Sequence, residues 1–227
     1  MTQFLERSFV WLGGALFVAS LALAARWYVV RLARPVPFAG WGPIAVDGAL
    51  FLLFAVHHSA LARPATKALL SHVCPERLLR SVFVWTASLL LILVCVLWRP
   101  IGGEVYRTTG PLTGVHLTVQ LAGLGLIVLS VRGIDALELA GIRFGLVGDL
   151  CVSGPFRFVR HPLYLGWMLM VFGPAVMTGD RLAFASTSSL YLVVAMPWEE
   201  RSLEQRFGDA YRTYKEQVKW RVVPYIY

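Results

Sequence analysis

The chain has 227 residues, of which 57% are hydrophobic and only 15% are charged. Its mean hydropathy of +0.65 is far above that of a soluble globular domain and excludes that class. The net charge of +8 does not indicate nucleic-acid binding, because the basic residues are not gathered on one segment with interleaved aromatic residues. The composition therefore predicts an all-α, polytopic membrane protein.

Several apolar runs approach the roughly 20 residues needed to cross the hydrocarbon core of a bilayer. Six membrane spans are predicted, over Phe9–Ala25, Ile44–Ala62, Ser81–Trp98, Leu112–Val131, Pro162–Gly179 and Leu182–Pro197. Asp47 lies near the start of the second run, so a count of five is the alternative. We expect one membrane domain over residues 1–227, with a transmembrane scaffold over 1–131 and a cofactor-binding half over 132–227.

The distribution of lysine and arginine predicts the orientation of the chain in the membrane. If the N-terminus is cytoplasmic, most of the 21 basic residues fall on the cytoplasmic side, as the positive-inside rule requires. We therefore expect a multi-pass protein of a bacterial plasma membrane with both termini in the cytoplasm. Arg7 and the Ala22-Leu23-Ala24 segment also resemble a signal peptide, but the apolar run is long for one, which favours a retained span.

Two adjacent histidines, His57 and His58, lie late in the second predicted span. Polar groups within a membrane are usually functional or paired, so a catalytic role and a hydrogen bond to a neighbouring helix are both open. No further histidine or cysteine has the spacing of a metal ligand, so no metal is expected. The three cysteines do not form a disulfide framework.

A polar cluster precedes the fifth predicted span. Arg157, Arg160 and His161 come directly before Pro162, and proline is favoured as the first residue of a helix because its missing N–H costs nothing there. The short segment Thr178–Arg181 predicts an antiparallel hairpin of the fifth and sixth spans. The start of one span and the end of the other would then lie at the same membrane surface.

The segment that follows the sixth predicted span begins with Trp198-Glu199-Glu200. Its apolar residues recur every three or four positions, which predicts an amphipathic helix that breaks at Gly208. The apolar positions are Leu203, Phe207, Ala210 or Tyr211, Tyr214 and Val218. Such a stripe indicates either docking against the bundle or a helix lying on the cytoplasmic leaflet.

Glu199 and Glu200 have no basic residue three or four positions further on, so the helix does not neutralise them. Carboxylates near a membrane need a positive partner, because an unpaired charge is costly to bury. Arg157, Arg160, a protonated His161 or a cationic ligand would supply one. S-adenosylmethionine fits, since its ammonium suits the carboxylates and its own carboxylate suits an arginine or the N–H groups of a helix start.

Two motifs in this region carry a resemblance to a known family. The first is Arg160-His161-Pro162-Leu163-Tyr164-Leu165-Gly166, and the second is Glu199-Glu200 with Leu203, Phe207-Gly208, Tyr211 and Tyr214. Together they resemble the isoprenylcysteine carboxyl methyltransferase and phospholipid methyltransferase superfamily of integral membrane enzymes. The segments around His57-His58-Ser59 and Trp98–Ile101 are similar to its nurim/NnrU-like branch, which includes the bacterial methanethiol S-methyltransferases.

The resemblance implies a methyltransferase that uses S-adenosylmethionine and a small or lipophilic methyl acceptor. The implied cofactor-binding residues are Arg160, His161, Pro162, Tyr164, Gly166, Glu199, Glu200 and Tyr211. Arg160 would lie near the mouth of the site, and Arg212 would help Tyr211 to close over the cofactor or to hold the acceptor. The chain departs from the methanethiol enzymes after the fourth span, where Arg132-Gly133-Ile134-Asp135 lacks an expected histidine, which puts the acceptor in doubt.

A thiol is the first acceptor to consider, and His57, His58 or Asp135 are candidates for the base that forms its thiolate. Carboxyl methylation of a prenylated cysteine is the second enzymatic interpretation. A non-catalytic membrane scaffold or transporter subunit of the same fold is a third, and a reductase of the sterol type is more distant.

Overall fold

The computed structural model describes residues 3–132, 136–143 and 149–227, and these are mostly helical. The helices are α1 (Gln3–Arg26), α2 (Trp41–Ala62), α3 (Pro64–Ser71), α4 (Glu76–Leu97), α5 (Pro111–Val131), α6 (Ala136–Leu139), α7 (Pro162–Phe172), α8 (Gly179–Phe207) and α9 (Asp209–Gln217). A π-helical turn over Trp27–Arg31 extends α1, and a 3-10 turn over Gly154–Arg157 precedes α7. Two short strands are present as well, β1 (Glu104–Arg107) and β2 (Val176–Thr178).

Four helical segments in the described part of the chain are long and apolar enough to cross a membrane. They are Gln3–Arg31, Trp41–Leu61, Glu76–Leu97 and Pro111–Val131. Large apolar side chains on these helices are exposed, as at Val18 (63%) and Leu121 (57%), and a bilayer covers such surface. The helical membrane class is therefore confirmed, while the predicted count of six spans is not.

The chain forms two compact units. The first comprises Met1–Gly102 and Ile134–Val147, and the second comprises Gly103–Gly133 and Gly148–Tyr227. Division into compact units does not test whether residues 1–227 form one functional domain, so that expectation stays a prediction.

In the first unit, α1 packs closely on α4. A Cβ atom added at Gly13 would lie only 2.6 Å from the indole nitrogen of Trp85, and that nitrogen donates to the carbonyl oxygen of Phe9 at 2.9 Å. Asp47, which made the second span the least secure, is 1% exposed and accepts the backbone N–H of Arg99 at 2.9 Å. A hydrogen-bonded carboxylate is tolerated inside a protein, so α2 keeps its full length.

The second unit is built on close contact between α5 and α7. A Cβ atom added at Gly166 would lie 2.7 Å from the carbonyl oxygen of Gly123, and one added at Gly173 would lie 2.8 Å from Gln120. Gly166 and Gly173 therefore both allow α7 to approach α5 closely.

Helix α7 begins at Pro162 as predicted but ends at Phe172, earlier than the predicted span. Pro174 has no N–H to donate to a helical carbonyl, so the α-helical hydrogen-bond pattern cannot continue through it. Side chains of α5 form hydrogen bonds with the last carbonyl groups of α7. His116 Nδ1 lies 2.9 Å from the carbonyl oxygen of Gly173, and Gln120 donates to the carbonyl oxygen of Met170 at 3.2 Å.

The predicted turn at Thr178–Arg181 has a different structure. β2 pairs antiparallel with β1, with Glu104 opposite Thr178 and Arg107 opposite Val176. α8 starts directly after β2, and the hydroxyl of Thr178 caps it by accepting the N–H of Arg181 at 3.2 Å. The chain thus reverses through a strand and a helix cap.

Helix α8 runs past Pro197 without a break, so the acidic pair belongs to this long helix. The predicted break at Gly208 is confirmed: its φ of +55° lies in the left-handed region that favours glycine. The apolar stripe of the tail packs against other residues of the second unit, as the first of the two interpretations expected. Tyr211, Tyr214 and Val218 form a buried cluster with Phe156 and other partly buried apolar residues.

Candidate functional site

The C-terminal segment is tied to the residues that precede α7. The backbone N–H groups of Arg160 and His161 donate to the carbonyl oxygens of Trp220 and Arg221 at 2.9 and 2.8 Å. The guanidinium of Arg160 donates to the carbonyl oxygens of Val218 and Lys219, both at 2.8 Å. These bonds hold the Arg-His-Pro segment against the end of the chain, beside the last turns of α8.

Glu200 is the buried acidic centre of this region, with 6% of its surface exposed. One carboxylate oxygen accepts Nε of Arg160 at 2.7 Å and lies 3.4 Å from Nε2 of His161. The other oxygen lies 3.3 Å from Nε of Arg221. Both carboxylate oxygens therefore have cationic or polar partners from two different segments.

The pKa of Glu200 reflects the balance between burial and these partners. Burial by itself raises the pKa, but hydrogen bonds from His161 and Arg160 and the charges of Arg160 and Arg221 outweigh it and lower the pKa to about 2. Glu200 is therefore ionised at neutral pH, and it is a structural and electrostatic centre instead of a proton donor.

Glu199 has a different environment, because 43% of its side chain is exposed. One of its oxygens accepts the hydroxyl of Tyr164 and lies 3.8 Å from Nδ1 of His161. The His161 ring, which is 5% exposed, stacks on the Tyr164 ring with centroids 5.1 Å apart. Glu199 thus has a fixed direction and an accessible carboxylate.

Tyr211 brings a buried hydroxyl to the same cluster. It is 1% exposed, and its hydroxyl has no hydrogen-bond partner among the described residues. Burial raises the pKa of Tyr211, and the nearby charge of Glu200 raises it further. A buried hydroxyl without a partner costs about 1–3 kcal/mol, so a polar partner for this group would stabilise the cluster.

A shallow cavity of about 350 Å³ that is widely open to solvent lies beside these residues. Its volume falls within the roughly 300–1,000 Å³ of small-molecule sites. It is lined by Arg160, Lys219, Trp220, Arg221 and Tyr227. The lining is cationic and aromatic, and Arg160 and Arg221 connect it to Glu200.

The arrangement suits a ligand that carries both signs of charge. Two carboxylates, Glu199 and Glu200, lie with two guanidinium groups, Arg160 and Arg221, in one contiguous network. An amino-acid head group would place its ammonium at the accessible carboxylate and its own carboxylate at the cationic side of the cavity. The aromatic rings that line the cavity offer stacking surfaces for a planar group.

The structure supplies positive partners for one member of the acidic pair, Glu200. Arg160 and His161, two of the predicted candidates, contact Glu200, whereas Arg157 is exposed. Glu200 is therefore balanced within the chain and does not itself require a cationic ligand. Glu199 is the carboxylate with room for one.

None of the three predicted candidates for the base belongs to the described residues of the second unit. His57 and His58 are in α2 of the first unit, and both rings contact Phe83, at centroid distances of 6.4 and 5.0 Å. Neither ring nitrogen of His57 has a hydrogen-bond partner in the described part of the chain. Asp135 lies outside the described residues. The catalytic roles of these three residues stay predictions.

Other predicted site residues are in or near the cluster without contacting its charges. Pro162 starts α7, and Gly166 faces α5, so both position the helix that carries Tyr164. The guanidinium of Arg212 is exposed on α9 and pairs with Asp209 at 2.8 Å. A role for Arg212 in closing over a cofactor stays a prediction.

Sequence reasoning missed the contribution of Lys219, Trp220 and Arg221. Their signal was present as two basic residues flanking an aromatic one directly after the apolar stripe. It could not be interpreted from spacing alone, since it is the backbone pairing with Arg160 and His161 that brings the Arg221 side chain to Glu200.

Comparison with known proteins gives a family match that covers part of this site. A family model described as phospholipid methyltransferase matches residues 115–210, which include α7, α8 and the acidic pair. No solved structure matches the chain significantly.

Several curated relatives are similar over most of the chain. Methanethiol S-methyltransferase 2 of Bradyrhizobium diazoefficiens is 35% identical over 184 residues, which cover 77% of this chain and 71% of that protein. Methanethiol S-methyltransferase of Pseudomonas deceptionensis is 34% identical, with 80% and 74% covered. The nurim homolog of Drosophila melanogaster is 25% identical, with 72% and 71% covered.

Proposed function

Because this chain belongs to the same family of membrane methyltransferases as the methanethiol S-methyltransferases, we propose that it transfers the methyl group of S-adenosylmethionine to a small thiol. The chain is a membrane methyltransferase, and the proposal adds the donor and the acceptor. The observation that carries the donor is the accessible carboxylate of Glu199 in one network with Arg160, Arg221 and the cationic cavity.

The residues present fit this donor. Glu199 would bind its ammonium, while Arg160 and Arg221 would bind its carboxylate. The buried hydroxyl of Tyr211, which has no partner among the described residues, would gain a hydrogen bond from a polar group of the ligand. Trp220 and Tyr227 line the cavity and would stack on the adenine.

When bound, S-adenosylmethionine supplies a methyl group that its sulfonium already activates for in-line displacement by a thiolate sulfur. The protein residues then have to align the two reactants and exclude water. His161 and Tyr164 hold Glu199 in place through stacking and a hydrogen bond, so they would orient the donor. The thiol must lose its proton before or during the reaction, and His57, His58 and Asp135 are the residues that we propose to test as its base.

We further propose that the site faces the cytoplasm, where a charged, water-soluble donor is available. The positive-inside distribution of lysine and arginine supports this orientation. The apolar, lipid-exposed surface of the long helices would concentrate a small apolar thiol close to the site.

The test is methyl transfer by the purified full chain in detergent, with S-adenosylmethionine labelled in its methyl group. Methanethiol, a farnesylcysteine analogue and phospholipid vesicles are offered as acceptors, and products are identified by mass. We expect dimethyl sulfide from methanethiol. Methylation of the farnesylcysteine analogue alone would instead assign carboxyl methylation, and no product from methanethiol would refute the proposed acceptor.

A further inference from the structure

Residues 221–227, here named the tail loop, fold back on themselves. The carbonyl oxygen of Tyr227 accepts the backbone N–H groups of Arg221, Val222 and Val223 at 3.0, 2.9 and 3.0 Å. The N–H of Tyr227 donates in turn to the carbonyl oxygen of Val223 at 3.0 Å. Val222 is 1% exposed, so the start of the loop is anchored in the interior of the second unit. The loop therefore brings Tyr227 beside Arg221, six positions earlier in the chain.

The tail loop contains a backbone conformation that is unfavourable by itself. Tyr225 has a φ of +66°, and this left-handed region is costly for a residue that has a Cβ atom. The Tyr225 ring packs on Trp220 with centroids 5.2 Å apart, but Tyr225 is still 86% exposed, so burial offsets little of the cost. What the conformation provides is the reversal that returns Tyr227 to Arg221, and strained residues of this kind cluster at functional sites.

Two contacts join the side chain of Tyr227 to the guanidinium of Arg221. Nη1 of Arg221 donates to the Tyr227 hydroxyl at 2.7 Å, and the guanidinium carbon lies 5.1 Å from the centre of the Tyr227 ring. The second distance is that of a cation–π contact. Nε of the same guanidinium lies 3.3 Å from a carboxylate oxygen of Glu200. Two of the three nitrogens of Arg221 are therefore held, one by Glu200 and one by Tyr227.

The two arginines that line the cavity differ in what they offer to a ligand. The side chain of Arg160 is only 8% exposed, and its Nε and Nη1 donate to Glu200 and to two backbone carbonyl oxygens. The side chain of Arg221 is 32% exposed, and its contacts with described residues engage Nε and Nη1. Nη2 of Arg221 thus keeps two N–H donors that those contacts do not use, and a guanidinium forms strong, charge-assisted hydrogen bonds with a carboxylate.

We propose that Arg221 binds the carboxylate of the methyl donor and that Tyr227 is a positioning residue that presents the guanidinium to it. This inference rests on the proposed function and assigns the carboxylate to one of the two arginines named there. Both Arg221 and Tyr227 line the cavity. A guanidinium that is already held at two nitrogens loses less side-chain freedom when it binds a ligand, and such preorganisation raises affinity.

The experiment compares S-adenosylmethionine with its decarboxylated analogue, which keeps the ammonium, the sulfonium and the adenine but lacks the carboxylate. Dissociation constants are measured with the detergent-purified full chain, by equilibrium binding of the labelled donor and its displacement by the analogue. We expect the wild type to bind the donor about tenfold or more tightly than the analogue, because hydrogen bonds between charged groups are strong. Arg221→Gln should abolish this preference by weakening binding of the donor while leaving the affinity for the analogue unchanged.

Two substitutions of Tyr227 test the positioning role. Tyr227→Phe removes the hydroxyl and keeps the ring, so the preference for the donor should fall about threefold, and Tyr227→Ala should reduce it further. Combined with Arg221→Gln, Tyr227→Ala should change donor affinity by less than about twofold, because a residue that acts through Arg221 has no effect without it. Ile226→Ala, at an 80% exposed position of the same loop, is the matched control and should keep the wild-type preference.

An unchanged preference in Arg221→Gln would overturn the assignment of the carboxylate, and an unchanged preference in Tyr227→Ala would overturn the positioning role. Arg221→Lys replaces the glutamine variant if the latter does not purify as a monodisperse protein, and it should also lower the preference because lysine lacks the planar guanidinium fork. Wild-type protein that binds donor and analogue equally would overturn the inference and leave the donor assigned. Wild-type protein that binds neither would refute the proposed function, so the two failures are distinguishable.

Discussion

At the residue scale, the adjacent glutamates Glu199 and Glu200 on α8 differ in burial and in the residues that they contact. Glu200 is 6% exposed and holds Arg160, His161 and Arg221 together. Glu199 retains 43% exposure of its side chain and takes its direction from Tyr164. Successive residues of a helix point about 100° apart, so one carboxylate stabilises the site and the next is presented to a ligand.

Replacing Glu199 by glutamine tests the ligand-binding half of this division. Hydrogen bonds to charged groups contribute about 1.5–3 kcal/mol, so Glu199→Gln should weaken binding of S-adenosylmethionine roughly 10- to 100-fold. Equilibrium binding of the labelled donor to the detergent-purified chain measures the change. Glu216→Gln, at an exposed position of α9, is the charge-matched control. Equal affinities for the wild type and Glu199→Gln would contradict the assignment of the ammonium to Glu199.

Replacing Glu200 by glutamine tests the structural half, through the pH dependence of stability. The pKa of Glu200 is lowered from 4.5 to about 2 in the folded chain. A lowered pKa gives stability that is fully present above pH 4.5 and is lost as the pH falls toward 2. At pH 7, Glu200→Gln should therefore destabilise the protein by about 3–5 kcal/mol, as expected for a broken buried ion pair.

Thermal unfolding of the wild type and Glu200→Gln between pH 7 and pH 3 measures this effect. The difference in Tm should be largest at pH 7 and should shrink as the pH falls below 4.5. A difference that stays constant over this range would mean that the carboxylate charge is not what stabilises the region. Asp209→Asn serves as the control, because Asp209 is 92% exposed at its side chain in its pair with Arg212.

At the scale of elements, the sequence predicted helices where the local signal was strong. Pro162 as a helix start, Gly208 as a break and the apolar stripe of the tail are all confirmed. The end of α7 was missed because the apolar run continues past Gly173 and Pro174, although proline already forbids the helix there. β1 and β2 were missed because strands of three and four residues have no periodicity to detect and exist only through their pairing.

The charged cluster, too, could be predicted only in part from the sequence. Arg160, His161 and the acidic pair were recognisable from their residue types. The role of Arg221 was not, since it depends on two backbone hydrogen bonds between segments far apart in the chain. Local sequence carries no signal for such long-range pairing.

The glycine contact between α5 and α7 provides a prediction at this scale. Gly166→Ala would place a Cβ atom 2.7 Å from the carbonyl oxygen of Gly123, and neither backbone can move without shifting its helix. Such overpacking costs about 1–3 kcal/mol, and it would also displace Tyr164. Thermal unfolding and donor binding should both be impaired.

Gly125→Ala on α5 is the matched control for that substitution, because a Cβ atom there meets no heavy atom within 4 Å. Its stability should equal or exceed that of the wild type, since alanine is the better helix former by about 1 kcal/mol. If both substitutions had the same effect on Tm, close approach of α5 and α7 would not be what Gly166 provides.

At the scale of the whole molecule, the charge distribution and the chemistry of the proposed donor lead to the same orientation. The donor is charged and cytoplasmic, and the basic residues favour a cytoplasmic location for the Arg-His-Pro segment and the tail. The segment that leads into α7 should then lie on the cytoplasmic side of the membrane. Cys151 belongs to this segment and is exposed. That thiol is a natural reporter of the orientation.

A variant with Cys74→Ser and Cys95→Ser retains Cys151 as its one thiol. A membrane-impermeant maleimide should label this variant in inside-out vesicles and leave it unlabelled in right-side-out vesicles until detergent is added. The same variant with Cys151→Ser should show no labelling in either preparation. Labelling of Cys151 from the outside of intact right-side-out vesicles would place the Arg-His-Pro segment away from the cytoplasmic pool of the donor, and the proposed site could not be supplied with S-adenosylmethionine from that side.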